Sequence, residues 1–90
     1  MTTIKLDDLE QQIIDIVSNV TGIEKEEVTL EGHFYQDLGI DSVKGIEMAV
    51  ALQAQYKIRI DDSSIPKLTN VKLVAQEVNR LLNKKTIYDY

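Results

Sequence analysis

The chain has 90 residues, no cysteine and a single histidine, His33, which leaves room for one domain and excludes disulfide scaffolds, cysteine metal sites and His-rich metal sites. Acidic residues outnumber basic ones 15 to 10, a formal net charge of -5 that disfavours nucleic-acid binding and steers the surface toward basic patches on other proteins. No apolar run approaches the ~20 residues that span a bilayer, and Met1 to Asp8 has no cationic apolar leader, so a cytoplasmic protein without a membrane span is expected.

The longer periodic stretches are helical. The first helix is expected from about Asp8 to Asn19. Asp7 and Glu10 have capping-box spacing, Leu9, Ile13, Ile16, Val17 and Val20 form one apolar stripe, and Gly22 stands at a C-terminal stop. A long connection follows, Thr21 to Ile40, which Val28, Leu30, Phe34 and Leu38 are expected to pin while Glu24, Glu26, Glu27 and Glu31 face water. Glu24 to Val28 has the length of one helical turn. The second helix starts with Asp41 as N-cap and ends near Tyr56. A short third helix is expected around Asp62 to Ile65, broken by Pro66. Thr69 or Asn70 caps a fourth, about Val71 to Leu82, with Val71, Val74, Val78, Leu81 and Leu82 as its stripe. Ile58-Arg59-Ile60 alternates but is too short for a sheet. Lys84 to Tyr90 carries no helical pattern and reads as a flexible tail, so the expected domain is 1-83 with a tail over 84-90. The fold class is all-α, a four-helix bundle.

The second helix has two apolar faces. Met48, Leu52 and Tyr56, with Gly45 and Ala49, cluster on the natural core face. Val43, Ile46, Val50 and Ala54 cluster on a different side. Either the short third helix and the long loop cover this second strip, or it docks partners. The strip adjoins Ser42, which falls at the first helical position. Backbone N–H groups there lack intrahelical partners and the helix dipole is positive, so a phosphate ester on the Ser42 hydroxyl is electrostatically well placed. A serine at a helix start is commonplace, and by itself it would count as structural.

At these residues the sequence resembles a known family. The run Phe34-Tyr35-Gln36-Asp37-Leu38-Gly39-Ile40-Asp41-Ser42-Val43 is similar to the signature of acyl carrier proteins: an aromatic residue, Asp-Leu-Gly, one residue, then Asp-Ser-Leu. Gly22-Ile23, Glu26-Glu27-Val28, the second helix, Ile58 to Ile60 and Thr69-Asn70-Val71 fit the same pattern, so the resemblance covers about Leu9 to Leu82. It implies an acyl-carrier-like four-helix bundle whose Ser42 bears a covalent 4′-phosphopantetheine, with Asp41 and Gly39 shaping the attachment site. It implies that a phosphopantetheinyl transferase of the holo-acyl-carrier synthase type loads the arm from coenzyme A with magnesium, and that acyl-transferring and chain-modifying enzymes then dock. Asp37, Val43, Ile46, Glu47 and Val50 are the implied docking residues. Met48, Leu52, Val74 and Val78 are implied to line the acyl chain. The implied protein is a monomer with no catalytic residues and no metal of its own.

Five positions depart from the pattern. Val43 replaces the usual leucine, Lys44 reverses the charge of an often acidic position, and Gln53, Gln55 and Lys57 occupy a stretch that is often acidic. Fatty-acid, polyketide, aminoacyl and dedicated lipid pathways all remain open, and the lowered acidity favours a specialised partner set. Two other readings compete. An unmodified helical interaction module would use the acidic surface and apolar strip but leaves the Asp-Leu-Gly-Ile-Asp-Ser run unexplained. A hydrolase built on Ser42, His33 and Asp37 has nominal triad chemistry, yet His33 lies in a loop with no recognisable oxyanion hole.

Overall fold

A computed structural model describes residues 5–88, with side chains through Lys84. The described residues form three α-helices, α1 (Leu6–Thr21), α2 (Ser42–Tyr56) and α3 (Val71–Tyr88), two 3₁₀ turns, Lys25–Glu27 and Ile65–Lys67, and no strand. None of these helices is long and apolar enough to cross a membrane. The all-α expectation holds, whereas the expected third helix is only a turn over 62–64 running into the second 3₁₀ segment. Pro66 sits inside that segment near its start, where a missing N–H costs nothing, rather than breaking it.

The apolar stripes meet in one core. Leu9, Ile13 and Val17 of α1, Met48, Leu52 and Tyr56 of α2, and Val71, Val74 and Val78 of α3 are all buried, joined by Val28, Phe34, Ile40 and Ile60 from the connections. α1 packs along both other helices, while α2 and α3 approach each other only slightly. Ile65 and Leu68, from the turn before α3, pack against this core.

Several boundaries differ from expectation. α1 begins two residues early, with Lys5 at the N-cap and no side-chain cap. Asp7 therefore lies inside the first turn with Asp8, where both carboxylates favour the positive helix end without forming a capping box. Leu30 is exposed and pins the loop by its backbone instead, accepting a hydrogen bond from Lys72 N–H at 3.0 Å. Of the two candidate caps, Asn70 is the one whose side chain accepts from Leu73 N–H, at 2.8 Å. α3 continues past the expected end at Leu82 to Tyr88. Lysine is a good helix former, so Lys84 and Lys85 extend the helix without any apolar period. The expected tail over 84–90 thus starts within a helix, and Asp89 and Tyr90 lie outside the described residues.

Tyr56 ties α2 to α1. Its ring is buried and its hydroxyl donates to Gln12 Oε1 at 2.8 Å. Burial pushes the phenol above its ordinary value. A raised folded value means that the neutral form contributes stability below the ordinary pKa of about 10, lost as pH rises through the higher folded value. Replacing Tyr56→Phe is expected to cost ~1 kcal/mol at neutral pH through the lost hydrogen bond. In melting curves taken across alkaline pH, the variant is expected to lose less stability than the parent above pH about 10.

Candidate functional site

The exposed serine at the mouth of α2 is placed by the loop before it. Phe34 is buried in the core, and its N–H donates to Thr69 O at 2.8 Å, so the loop is laid across the N-terminal end of α3. Next to it His33 organises a tight turn. Its carbonyl accepts from Asp37 and Leu38 N–H at 2.9 and 3.1 Å. Its Nδ1 accepts from Tyr35 and Gln36 N–H at 3.2 and 3.1 Å, and its own N–H donates to Asp37 Oδ2 at 2.8 Å. His33 Nδ1 thus accepts from the loop backbone rather than donating to Asp37, and no hydrogen bond joins His33 to Ser42, which leaves the nominal Ser42–His33–Asp37 triad without support.

Gly39 then takes a left-handed conformation, φ 68°, which a residue with a Cβ adopts only with strain. The turn closes when Ile40 N–H donates to Phe34 O at 2.9 Å and the Ile40 side chain enters the core. The chain leaves extended at Asp41, whose Oδ1 accepts from Lys44 N–H at 2.8 Å and whose carbonyl accepts from Gly45 N–H at 3.0 Å. Asp41 is therefore the expected N-cap. The N–H groups of Ser42 and Val43 have no partner among the described residues. They and the positive helix end offer an anion on the Ser42 hydroxyl a ready set of donors. The Asp41 carboxylate is the opposing charge, and its capping bond turns one oxygen into the helix.

The second apolar face of α2 is uncovered. Val43, Ile46 and Val50 are 62%, 59% and 60% exposed, and Ala54 is exposed as well. The turn around Ile65 leaves them exposed, although Ile65 and Ile46 line one groove. Beside this strip, Lys44 Nζ lies 3.2 Å from Glu47 Oε1, so the reversed charge is matched within the same helix. Gln53 faces inward instead, with its amide donating to Ala49 O and accepting from Ile60 N–H, at 3.1 and 2.9 Å.

Two spaces adjoin the serine. An open groove of about 580 Å³ is lined by Tyr35, Ser42, Ile46, Asp62, Ile65 and Pro66. Deeper in, a cavity of only about 30 Å³ lies among Met48, Leu52 and Val74 with their neighbours. Val78, expected with them, is fully buried but is not on the cavity wall. Sequence reasoning missed Tyr35, Asp62, Ile65 and Pro66 as neighbours of Ser42. One signal was available: Gly45, a poor helix former at the fourth residue of α2, marks a close approach by another group.

Comparison with known proteins agrees with this geometry. Residues 11–78 match the family described as "Phosphopantetheine attachment site". The chain is similar to the acyl carrier protein of Cyanidium caldarium, 32% identical over 79 residues that cover 88% of this chain and 92% of the relative. It is also similar to the acyl carrier protein of Rickettsia bellii (strain RML369-C), 28% identical over 82 residues that cover 91% of this chain and 92% of the relative.

The cap at Asp41 can be separated from its charge. Asp41→Ala is expected to cost ~1 kcal/mol in denaturant unfolding, whereas Asp41→Asn, which keeps an acceptor at the same place, is expected to stay within a few tenths of the parent.

Proposed function

The chain belongs to the acyl carrier protein family, and from that premise we propose that Ser42 is the hydroxyl that receives the 4′-phosphopantetheine arm. The carrier role comes with the family: when attached, the arm supplies a thiol that holds acyl cargo as a thioester. The attachment point is our reading. Its main support is the position of Ser42, exposed at the first residue of α2 with two unpartnered N–H groups beside it and an open groove in front.

In the loading step Ser42 Oγ forms the new bond to the phosphorus on the pantetheine side of coenzyme A. The phosphoanhydride P–O bond breaks, adenosine 3′,5′-bisphosphate leaves with the bridging oxygen, and the serine proton passes to a base on the transferase. Magnesium on the transferase offsets the phosphate charge. This chain's own contribution is to present the hydroxyl on a capped helix end, with Gly39 and Asp41 setting its approach. It performs no catalysis of its own.

Partners would dock on the uncovered face of α2 through Val43, Ile46 and Val50, with Asp37 and Glu47 as charged contacts at the edge. Lys44 draws Glu47 into an internal pair, and α2 has no acidic residue in its first turn. A docking face so poor in free negative charge suits a dedicated set of enzymes better than the strongly basic partners of general fatty-acid synthesis.

Incubation with coenzyme A, magnesium and a broad-specificity phosphopantetheinyl transferase is expected to add one phosphopantetheine to the intact mass. Ser42→Ala, with an unchanged circular dichroism spectrum, is expected to add none. A folded parent left bare by competent transferases would favour an unmodified helical interaction module instead.

A further inference from the structure

We propose that Tyr35, seated over Gly45, is a gate between the groove at Ser42 and the small core cavity, and so limits how much of a cargo's acyl chain the fold can hide. The inference rests on Ser42 as the attachment point and adds a residue pair that sets cargo specificity.

Tyr35 and Ile65 line both the outer groove and the inner cavity, so they form the wall between them. Gly45 lies on the inner side of that wall. A Cβ at Gly45 would stand 2.8 Å from Tyr35 Oη and 3.7 Å from the ring carbons behind it. The phenol therefore occupies the space that a side chain at this position of α2 would fill. This accounts for a glycine at the fourth residue of α2, where the backbone itself asks for none.

As it stands the inner cavity, at about 30 Å³, is far too small for a fatty acyl chain. The surrounding walls are apolar, so methylenes gain by entering once the way is open. The gate is lightly held. Its hydroxyl has no hydrogen-bond partner among the described residues, and the residue is only half-buried. Its backbone, by contrast, is fixed by the bond from Tyr35 N–H to His33 Nδ1, while the side chain makes a tilted ring contact with His33, centroids 5.8 Å apart. A side chain that swings on a fixed backbone can open without unravelling the loop.

The test uses the full chain loaded on Ser42 with a decanoyl-length cargo that ends in a nitrile, whose infrared stretch distinguishes water from hydrocarbon. In the parent the nitrile is expected to report water. Gly45→Ala forces the hydroxyl aside, and Tyr35→Ala removes the ring, so both are expected to move the stretch to its hydrocarbon value. Combining Tyr35→Phe with Gly45→Ala removes the atom that clashes and leaves the ring in ordinary contact, so this double variant is expected to behave like the parent. Melting curves check that each variant is folded, and the Gly45→Ala comparison stands even if Tyr35→Ala is not. A hydrocarbon signal already present in the parent, or identical signals from Gly45→Ala and the double variant, would overturn the gate. A parent whose mass shows no arm on Ser42 would instead overturn the attachment reading beneath it.

Discussion

The anchoring of Phe34 is the constraint on which the rest of the molecule depends. One residue of the long α1–α2 connection buries its ring in the core, while its N–H bonds to Thr69 at the start of α3. Everything that follows is measured from that point. The His33 turn, the left-handed Gly39 and the buried Ile40 leave the chain only one way to enter α2. Asp41 then caps the helix and Ser42 is delivered to the surface. Without this tie, a connection of such length would have many conformations, and the entropy of ordering it would fall on the functional end of α2 alone. The bonds at both Phe34 and Lys72 join the loop to α3, so the site is held by an element distant in sequence.

α2 divides its duties by face. The inner face contributes Met48, Ala49, Leu52 and Tyr56 to the core, and the outer face leaves three large apolar side chains in water. Such exposure is unfavourable for an isolated domain and becomes intelligible for one that repeatedly meets other proteins. The local electrostatics fit the same picture. Lys44 and Glu47 answer each other on the surface, a pair of small energetic value that nevertheless removes free charge from beside the serine.

Much of this was legible in the sequence. The three helical stripes, the two faces of α2 and the Asp41 cap each follow from period or local backbone chemistry, and each was found where expected. The misreadings share a different cause. The Asp7 capping box failed because helix ends are set by the surrounding fold as well as by cap residues. Leu30 looked like a pin because it is apolar, yet the backbone makes the contact and the side chain stays exposed. The end of α3 was misplaced because its last turns have helix propensity without an apolar stripe. The groove around Ser42 was invisible for a simpler reason: Tyr35, Asp62, Ile65 and Pro66 are brought there by tertiary structure, across stretches that share no periodicity. The Ser42 attachment itself was read from a resemblance, and only its structural setting follows from local chemistry.

The interlock of the phenol with the bare helix backbone also bears on how such domains can be recombined. α2 is not a self-contained cassette: a donor helix bearing even a methyl group at position 45 would bring it within 2.8 Å of Tyr35 Oη and push the phenol of the recipient loop aside. Positions 35 and 45 form a single volume shared between two segments, and a chimaera that inherits them from different parents inherits the mismatch as well.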